Sequence, residues 1–348
     1  MKTKKWISIL LGAALSAFVL AGCGGSGAQT PAGESDAKET AGSKGDYPLV
    51  ISHTFGETVI ESRSENIVTI GWENQDTPLA LGVVPTGVSA ANYGKVTEHG
   101  LHPWTDEAFE TLGEKAPVVF DDIDGLDYEA ISDAKPDVIL AAYSGITEEE
   151  YNLLSAIAPV VAYPGTPWQT YWRDQTILNA EGMGMKKEGE AKVAEVDALI
   201  KDKTEEYPEL AGTKTAFFWI SPDDFSTFYV YLPSDPRAAY LTDLGLTFPD
   251  SVLKMAGDTE DFSVTLSREN SDVLSDVEMM VVYGDETLLE ALQEDALMSR
   301  IPAVKNGAVA LVDSASSLAG ACTPSILSIP AEIDEYLRLL SEAHGKIK

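Results

Sequence analysis

The sequence predicts an α/β protein whose two lobes are joined by a single long α-helix. Short apolar, β-rich runs alternate with segments of helical spacing in two sets, one before residue 170 and one after residue 212. Such alternation is typical of mainly parallel sheets covered by helices. A long, uninterrupted helical pattern separates the two sets. About 300 residues follow the N-terminal segment, which is too many for one small core and favours two lobes.

The N-terminal 46 residues are not expected to belong to either lobe. Residues 1–22 combine a basic head with the apolar run Ile7–Leu20 and indicate a signal peptide rather than a membrane-spanning helix. The run Leu20-Ala21-Gly22-Cys23 resembles a bacterial lipobox, which implies that Cys23 is lipidated and becomes the mature N-terminus. An ordinary secretory signal is the alternative. Residues 23–46 carry no large apolar side chain and are predicted to form a flexible tether.

Composition excludes some classes of function. The chain carries 24 basic and 56 acidic residues, a net charge of −32. Removing the three lysines of the signal peptide leaves 21 against 56, or −35, which argues against nucleic acid and anionic lipid surfaces as partners. With Cys23 lipidated, Cys322 stands alone and no disulfide is expected. Its small-residue surroundings favour a buried thiol over a reactive one.

Residues 47–168 are predicted to form the first lobe and residues 212–348 the second. Candidate strands of the first lobe are Ile67–Ile70, Val83–Val84, Val138–Ala141 and Val160–Ala162. Those of the second lobe are Thr215–Ile220, Met279–Val282 and Val309–Val312.

The interdomain segment, residues 169–211, contains the long helical pattern Glu188–Tyr207. Val193, Val196 and Ile200 follow the spacing of a single apolar stripe, and a proline ends the pattern. We interpret this helix as the connector of the two lobes; a surface helix within one domain is the alternative.

Aromatic residues lie at or just beyond the ends of five of the predicted strands, where ligands bind in open α/β sheets. They are Trp72, Tyr143, Tyr163, Trp219 and Tyr283. Predicted loops add further rings, namely Tyr93, Trp104, Trp168, Trp172, Phe225, Phe228, Tyr229 and Tyr231. Such rings suit a bulky, partly planar ligand, and we expect the set to line a cleft. For any single ring, core packing is the alternative.

Arg237 is the basic candidate for the same cleft. It lies in the turn Pro233–Arg237, which opens a predicted helix and can aim a guanidinium at an anionic ligand. The alternative is a surface arginine paired with Asp235 or Asp243. Lys95 and Arg173 are weaker candidates.

A set of motifs in a fixed order resembles a known family. After the lipobox come Leu79–Pro85, Tyr128–Ile131 with Lys135–Ile139, Leu154–Val160, Asp235–Arg237 with Leu241–Gly245, and Leu266–Glu269. The order is similar to the helical-backbone class of periplasmic-type binding proteins, over nearly all of residues 48–345. This resemblance implies two Rossmann-like lobes joined by one long helix, with the ligand held between them.

The resemblance also implies a function and its partners. Members deliver ferric siderophores, ferric citrate, haem or cobalamin to an ABC permease and its ATPase, and one glutamate on each lobe docks on the permease. The matching residues are Glu129 and Glu269. The Tyr229–Arg237 stretch and the Trp72–Gln75 segment are most similar to ferric-siderophore receptors. Iron would be carried inside its chelate, with no cofactor or metal bound directly, by a monomer anchored on the extracytoplasmic side of the membrane. Cobalamin and haem remain alternatives.

Two other classes of function are disfavoured by the motifs. A receptor for bare metal ions needs several converging His and carboxylate ligands, whereas only four histidines are present. His99 and His102 lie beside Gly100 and Pro103 in a predicted loop, where a surface pair is expected. An exported enzyme is disfavoured because no nucleophile elbow, zinc-protease motif or phosphate-binding loop occurs.

Overall fold

Two five-stranded sheets form the centres of two lobes in this computed structural model, which describes residues 47–122, 124–257 and 259–348. The predicted signal peptide, lipidation site Cys23 and tether lie outside the described residues. No helix within those ranges is both long and apolar enough to cross a bilayer. The described residues all belong to one compact unit.

The first lobe begins with a hairpin and continues into a parallel sheet. The hairpin strands are β1 (Leu49–His53) and β2 (Gly56–Ile60). The sheet strands are β3 (Ile67–Thr69), β4 (Gly87–Ser89), β5 (Val119–Phe120), β6 (Val138–Ala141) and β7 (Val160–Ala162). Their order is β5-β4-β3-β6-β7, and every pairing is parallel. The buried β-branched runs predicted from the sequence form β3, β6 and β7, as expected for a sheet covered on both faces.

One predicted strand of this sheet is displaced. Val83–Val84 is irregular, and the strand is Gly87–Ser89 instead. Pro85 follows the valines and has no N–H to give to a sheet ladder, so pairing begins beyond it. The valines are packed beside the cores rather than within the sheet.

Short helices connect these strands. They are α1 (Asp76–Ala80), α2 (Pro103–Thr111), α3 (Tyr128–Asp133) and α4 (Glu148–Ser155). The sequence dictates where two of them begin. Asp127 accepts a hydrogen bond from the N–H of Ala130 at the start of α3, and Thr147 and Glu150 form a reciprocal capping box at the start of α4.

The connector between the lobes contains the predicted long helix, here α6 (Lys186–Thr204), preceded by α5 (Trp172–Gly182). The apolar stripe of α6 lies in the core of the second lobe, together with Ile333 and Tyr336. α5 and α6 pack closely because Gly189 has no side chain: a Cβ there would lie 2.5 Å from the Cβ of Ala180.

The second lobe has a mixed sheet. Its strands are β8 (Thr215–Trp219), β9 (Thr227–Tyr231), β10 (Ser263–Ser267), β11 (Met279–Tyr283) and β12 (Val309–Val312), in the order β10-β9-β8-β11-β12. β8, β11 and β12 are parallel, whereas β9 and β10 run antiparallel to their neighbours. The aromatic run at residues 228–231, expected in a loop, is therefore strand β9.

The helices of the second lobe cover both faces of this sheet. They are α7 (Pro236–Asp243), α8 (Asp250–Ala256), α9 (Glu286–Glu294), α10 (Pro302–Asn306), α11 (Ser317–Ala321) and α12 (Ser328–His344), with 3₁₀ turns at Pro208–Leu210, Arg268–Leu274 and Met298–Arg300. One core cluster contains residues of α6, α7 and α12, and a second contains residues of α8, α9 and α10. This arrangement confirms the predicted α/β class with two lobes and a helical connector.

Candidate ligand-binding cleft

Four aromatic rings form a cluster at the carboxyl ends of β3 and β6. Trp72 follows β3 and Tyr143 follows β6, while Tyr93 and Trp168 come from loops. The ring centroid of Trp72 lies 4.7 Å from that of Tyr93 and 5.2 Å from that of Trp168. The rings of Trp168 and Tyr143 are 5.5 Å apart and nearly perpendicular. The strand-end rule thus identified two of the four positions, and aromatic loop residues supplied the others.

The local backbone fixes the position of Trp168 in this cluster. Gly145 leaves the space that its indole occupies, since a Cβ at Gly145 would lie 2.1 Å from the Nε1 atom of Trp168. Trp168 itself has a φ of 60°, an uncommon value for a residue with a side chain. Its N–H donates to the carbonyl of Ser144 at 3.1 Å. The indole is therefore held against the end of β6.

Asn74, which was not singled out from the sequence, ties the two strand ends together. Its amide donates to the carbonyl oxygens of Ile70 and Tyr143 at 2.8 and 2.9 Å, and its own oxygen accepts from the N–H of Tyr143. Gln175 of α5 donates to the carbonyl of Trp72 at 3.0 Å. Satisfying buried backbone groups in this way holds the loop that carries Trp72 rigid. Its only sequence signal was its place in the Trp72–Gln75 segment.

Arg237 lies at the corresponding place in the second lobe, at the start of α7. Its Nε and Nη2 atoms donate to the two oxygens of Asp235, both at 2.9 Å, and Nη1 donates to the hydroxyl of Tyr231 at 3.2 Å. The guanidinium carbon also lies 4.1 Å from the ring centroid of Tyr231. Burial opposes the charge, but the Asp235 carboxylate raises the pKa of Arg237 well above its ordinary value. Three of the five N–H donors of a guanidinium are used here, which leaves donors that can reach a ligand.

The pairing with Asp235, one of the two alternatives for Arg237, is present, but the pair is not at the surface. The side chain of Asp235 is 1% exposed and that of Arg237 12%. Asp235 also accepts from the backbone N–H of Arg237 and caps α7. The arginine is thus held in place by a carboxylate that compensates its charge.

Tyr231 and Tyr283 complete the cluster of the second lobe. Both rings pack on Phe217, at centroid distances of 5.7 and 5.1 Å. Burial raises the pKa of Tyr283 well above its ordinary value, and Tyr93 of the other lobe adds to that increase. Cys322 is buried, as predicted, and burial raises the pKa of its thiol to about 12.

The two clusters face each other across the boundary between the lobes. Burial is the main cause of the raised pKa values of Tyr93 and Tyr143, and both hydroxyls also experience the charges of Glu73 and Arg237. The Tyr93 hydroxyl donates to the carbonyl of Gly320 in α11 at 2.9 Å. The arrangement offers ring faces from one lobe, with a compensated guanidinium and phenols from the other.

Other predicted rings lie elsewhere. The ring centroids of Trp219 and Tyr229 lie 5.3 Å apart, and both residues are 41% exposed on neighbouring strands. Tyr163 donates its hydroxyl to the carbonyl of Ile146 within the first core. Arg173 pairs with two carboxylates, Asp197 and Asp243.

The placement of Trp104 corrects the expectation that it lies in a cleft loop. It belongs to α2, is buried, and donates its indole N–H to Asp76 at 2.9 Å. Pro103 at the first helical position explains why this segment is a helix. One face of the indole stacks on the ring of His102, with centroids 4.6 Å apart. His102 in turn contacts the ring of Tyr93, so Trp104 packs against the aromatic cluster through His102.

A buried polar network surrounds Trp104. Asp76 is fully buried and accepts hydrogen bonds from Trp104, from the hydroxyl of Thr105 at 2.8 Å and from the hydroxyl of Ser325 at 2.5 Å. Ser325 belongs to the second lobe, so this carboxylate joins the lobes. Burial raises the pKa of Asp76 to about 7, and the charge of Glu73 contributes to the increase.

Within residues 47–122, 124–257 and 259–348, no group of three or more His, Cys, Asp or Glu side chains is placed to hold a metal ion. His99 pairs with Asp106 at 2.8 Å, and His102 faces Glu73 at 3.3 Å. These two histidines therefore have separate partners.

Comparison with known proteins identifies the family. Residues 67–315 match the family described as periplasmic binding protein. The chain belongs to this family. The crystal structure of Streptococcus pneumoniae PiaA in complex with ferrichrome is 46% identical, covers 86% of this chain and 100% of PiaA, and superimposes with a TM-score of 0.83.

Two further relatives of this periplasmic binding protein are more distant. The Fe(3+) dicitrate-binding periplasmic protein FecB of Escherichia coli is 26% identical over 285 residues, which cover 76% of this chain and 85% of FecB. Staphylococcus aureus SirA complexed with staphyloferrin B is 20% identical, covers 86% of this chain and 99% of SirA, and has a TM-score of 0.64. SirA supports the fold alone. The two-lobed helical-backbone architecture implied by the resemblance is thereby confirmed.

Glu129 and Glu269, the residues that the resemblance assigned to permease docking in this periplasmic binding protein, are exposed. Glu129 lies in the first turn of α3, and Glu269 lies in the first turn of the 3₁₀ helix Arg268–Leu274. Each therefore lies at the beginning of a helix on its own lobe. Their docking role stays a prediction.

Proposed function

We propose that this protein is the extracytoplasmic substrate-binding component of an ABC importer and that its ligand is a ferric siderophore. The observation that carries the proposal is the pair of clusters facing each other across the lobe boundary, with Trp72 and Trp168 on one side and Arg237 on the other. Ring faces contact the organic shell of a chelate, and the remaining guanidinium donors reach the oxygens that bind iron. The family membership and the ferrichrome complex of PiaA support this ligand class.

Among ferric chelates, we infer a preference for hydroxamates such as ferrichrome. Asp235 compensates the charge of Arg237, so the buried guanidinium does not supply a net positive charge to the cleft. A polyanionic chelate would enter with charges that the cleft does not balance, which is costly at a buried site. An electrically neutral ferric hydroxamate avoids that cost. Ferric citrate, suggested by FecB, is the second candidate.

The proposed partners follow from the same function. The chelator holds the iron, so no protein ligand to iron and no cofactor is required, and the protein carries its cargo without turnover. Glu129 and Glu269 would dock the lobes on the permease subunits, which work with an ATPase. Lipidated Cys23 would keep the protein, as a monomer, at the outer face of the cytoplasmic membrane.

The test is a tryptophan fluorescence titration of the protein from Gly45 to Lys348. The panel holds ferrichrome, ferric citrate, a ferric catecholate, haem and cobalamin. We expect saturable quenching by ferrichrome at sub-micromolar concentration. The variants Trp72→Phe and Trp168→Phe should reduce the quenching amplitude, whereas Trp172→Phe should not, because Trp172 lies in the core of the second lobe.

Each contrary outcome has a defined meaning. Binding of ferric citrate alone would replace the hydroxamate by the second candidate. Binding of haem or cobalamin alone would leave the family in place and refute a siderophore ligand. Quenching that survives loss of both cleft tryptophans would show that the ligand binds elsewhere.

A further inference from the structure

Glu73 lies next to the aromatic cluster in an unusual backbone conformation. It is the residue after Trp72, has a φ of 59° and is 3% exposed. Left-handed backbone costs a residue with a side chain about 1–2 kcal/mol. Glu73 and Trp168 share this conformation, and both adjoin the same cluster. Conformations of this kind concentrate at functional sites, where the surroundings hold them in place.

One oxygen of Glu73 is paired and the other is not. Oε1 faces Nε2 of His102 at 3.3 Å, and Nδ1 of the same ring faces the carbonyl of Lys95 at 3.3 Å. Both ring nitrogens of His102 face acceptors, an arrangement that suits the doubly protonated ring. Burial opposes the charge of this ring, but Glu73 and the other acceptors raise the pKa of His102 above its ordinary value. The Oε2 atom of Glu73 is buried and has no hydrogen-bond partner among the described residues.

A second unpartnered acceptor lies beside it. The side-chain oxygen of Gln75 is also buried, and within the described ranges no donor reaches it. Both side chains line a cavity of about 10 Å³ that also borders Trp72, Tyr93 and His102. A space of that size holds about one water molecule, and leaving a buried carboxylate oxygen without a donor is costly. A hydrogen-bond donor placed in this cavity would therefore satisfy the side-chain oxygens of Glu73 and Gln75.

The cavity lies beside the aromatic cluster of the cleft, because it borders Trp72 and Tyr93. Next to burial, the charge of Glu73 contributes to the raised pKa of the Tyr93 hydroxyl, which Arg237 opposes from the other lobe. The same two charges act on Tyr143. Glu73 and Arg237 thus act on the same phenols with opposite charges, and each has a partner of opposite charge, Glu73 with His102 and Arg237 with Asp235.

We propose that Glu73 is a specificity-determining residue. Its Oε2 atom, together with the side-chain oxygen of Gln75, accepts a hydrogen bond from an N–H or O–H group of the ligand. The same carboxylate disfavours the binding of polyanionic chelates. The inference rests on the proposed function and deepens it. The favoured class is a neutral ferric chelate with peptide-type N–H donors at its edge. A polyanionic chelate that lacks such donors cannot form a hydrogen bond with the carboxylate oxygen of Glu73, and its negative charge is repelled by that oxygen.

The test compares the affinity of two ligands for three proteins by calorimetry. The ligands are ferrichrome, which has peptide N–H groups, and a polyanionic ferric catecholate. The proteins are the wild type, Glu73→Gln, and the control Glu107→Gln, an exposed carboxylate on α2 of the same lobe. For Glu73→Gln we expect the affinity for ferrichrome to fall about tenfold and the affinity for the catecholate to rise about tenfold, since a charged acceptor is lost and a repulsion removed. The control should change neither.

The direction of the two changes separates specificity from support of the fold. If both affinities fall by the same factor, or neither changes, Glu73 has no part in selection and the inference is wrong. If the wild type binds no ferric chelate, the proposed function falls as well, so the two failures are distinguishable.

A crystal structure of the wild-type complex tests the same point without a variant, should Glu73→Gln fold poorly. We expect a ligand donor within about 3.2 Å of Oε2 of Glu73. A water molecule at that oxygen, with the ligand elsewhere, would overturn the inference.

Discussion

Replacement of Asp76 by asparagine should remove a pH dependence from the stability of the protein. Asp76 is fully buried at the lobe boundary, and its pKa is raised from 3.8 to about 7, first by burial and then by the charge of Glu73. The native state therefore keeps a proton that the unfolded chain loses above about pH 4. The resulting stabilisation is complete below the unfolded pKa and is lost as the pH rises through about 7.

The magnitude follows from the size of this shift. One pKa unit corresponds to about 1.4 kcal/mol. Between about pH 5 and pH 7, Asp76 is protonated in the native state and ionised in the unfolded chain, so the stability falls with pH over this interval. Relative to Asp76→Asn, the wild type should therefore lose roughly 2–3 kcal/mol of unfolding free energy from pH 5 to pH 8. The hydrogen bonds from Ser325 and Thr105 favour the carboxylate, and the pKa of about 7 already includes their lowering effect.

The assay is urea denaturation at pH 5, 6, 7 and 8, followed by circular dichroism. The difference in unfolding free energy between wild type and Asp76→Asn is the quantity to compare, because the general effect of net charge cancels in it. Asp133→Asn, an exposed carboxylate at the end of α3, serves as control. Parallel stability curves for the wild type and Asp76→Asn would refute the reasoning.

Further predictions concern the cleft and the permease. Arg237→Ala should weaken binding of the ferric chelate by about 1.5–3 kcal/mol, measured by calorimetry, because a charge-assisted hydrogen bond is lost; unchanged affinity would remove Arg237 from the site. Gly145→Ala should displace the indole of Trp168, whose Nε1 atom would lie 2.1 Å from the new Cβ, and reduce affinity roughly tenfold without loss of secondary structure; wild-type affinity would show that this indole position is not required. The double variant Glu129→Ala/Glu269→Ala should abolish uptake of radioactive iron chelate by cells while leaving affinity intact; normal uptake would refute the docking role.

Some site residues could be predicted because local rules determine them. Trp72 and Tyr143 follow buried β-branched runs, and the carboxyl ends of parallel strands share one edge of a sheet. Arg237 was identified from its place after Asp-Pro at a helix start, and Asp235 does cap that helix. In these cases the nearest neighbours in sequence are also the decisive neighbours in space.

Other residues were missed because their partners are distant in sequence. Asn74 bonds to Tyr143, and Asp76 to Ser325, so neither role is visible in a local pattern. Trp104 is an aromatic residue of the kind expected in a cleft. Only its hydrogen bond to Asp76 shows that it belongs to the buried polar network at the lobe boundary. Glu73 gives no periodic signal at all.

The sequence by itself determined the α/β class, the two lobes, the long connecting helix and the aromatic strand ends, because hydrophobic periodicity and strand-end position are local properties of the chain. Tertiary structure alone decided which rings meet, that β9 and β10 run antiparallel, that Asp235 compensates Arg237, and that one oxygen of Glu73 is left without a donor. These outcomes depend on contacts between segments far apart in the chain, whose geometry is set by the packing of both lobes together.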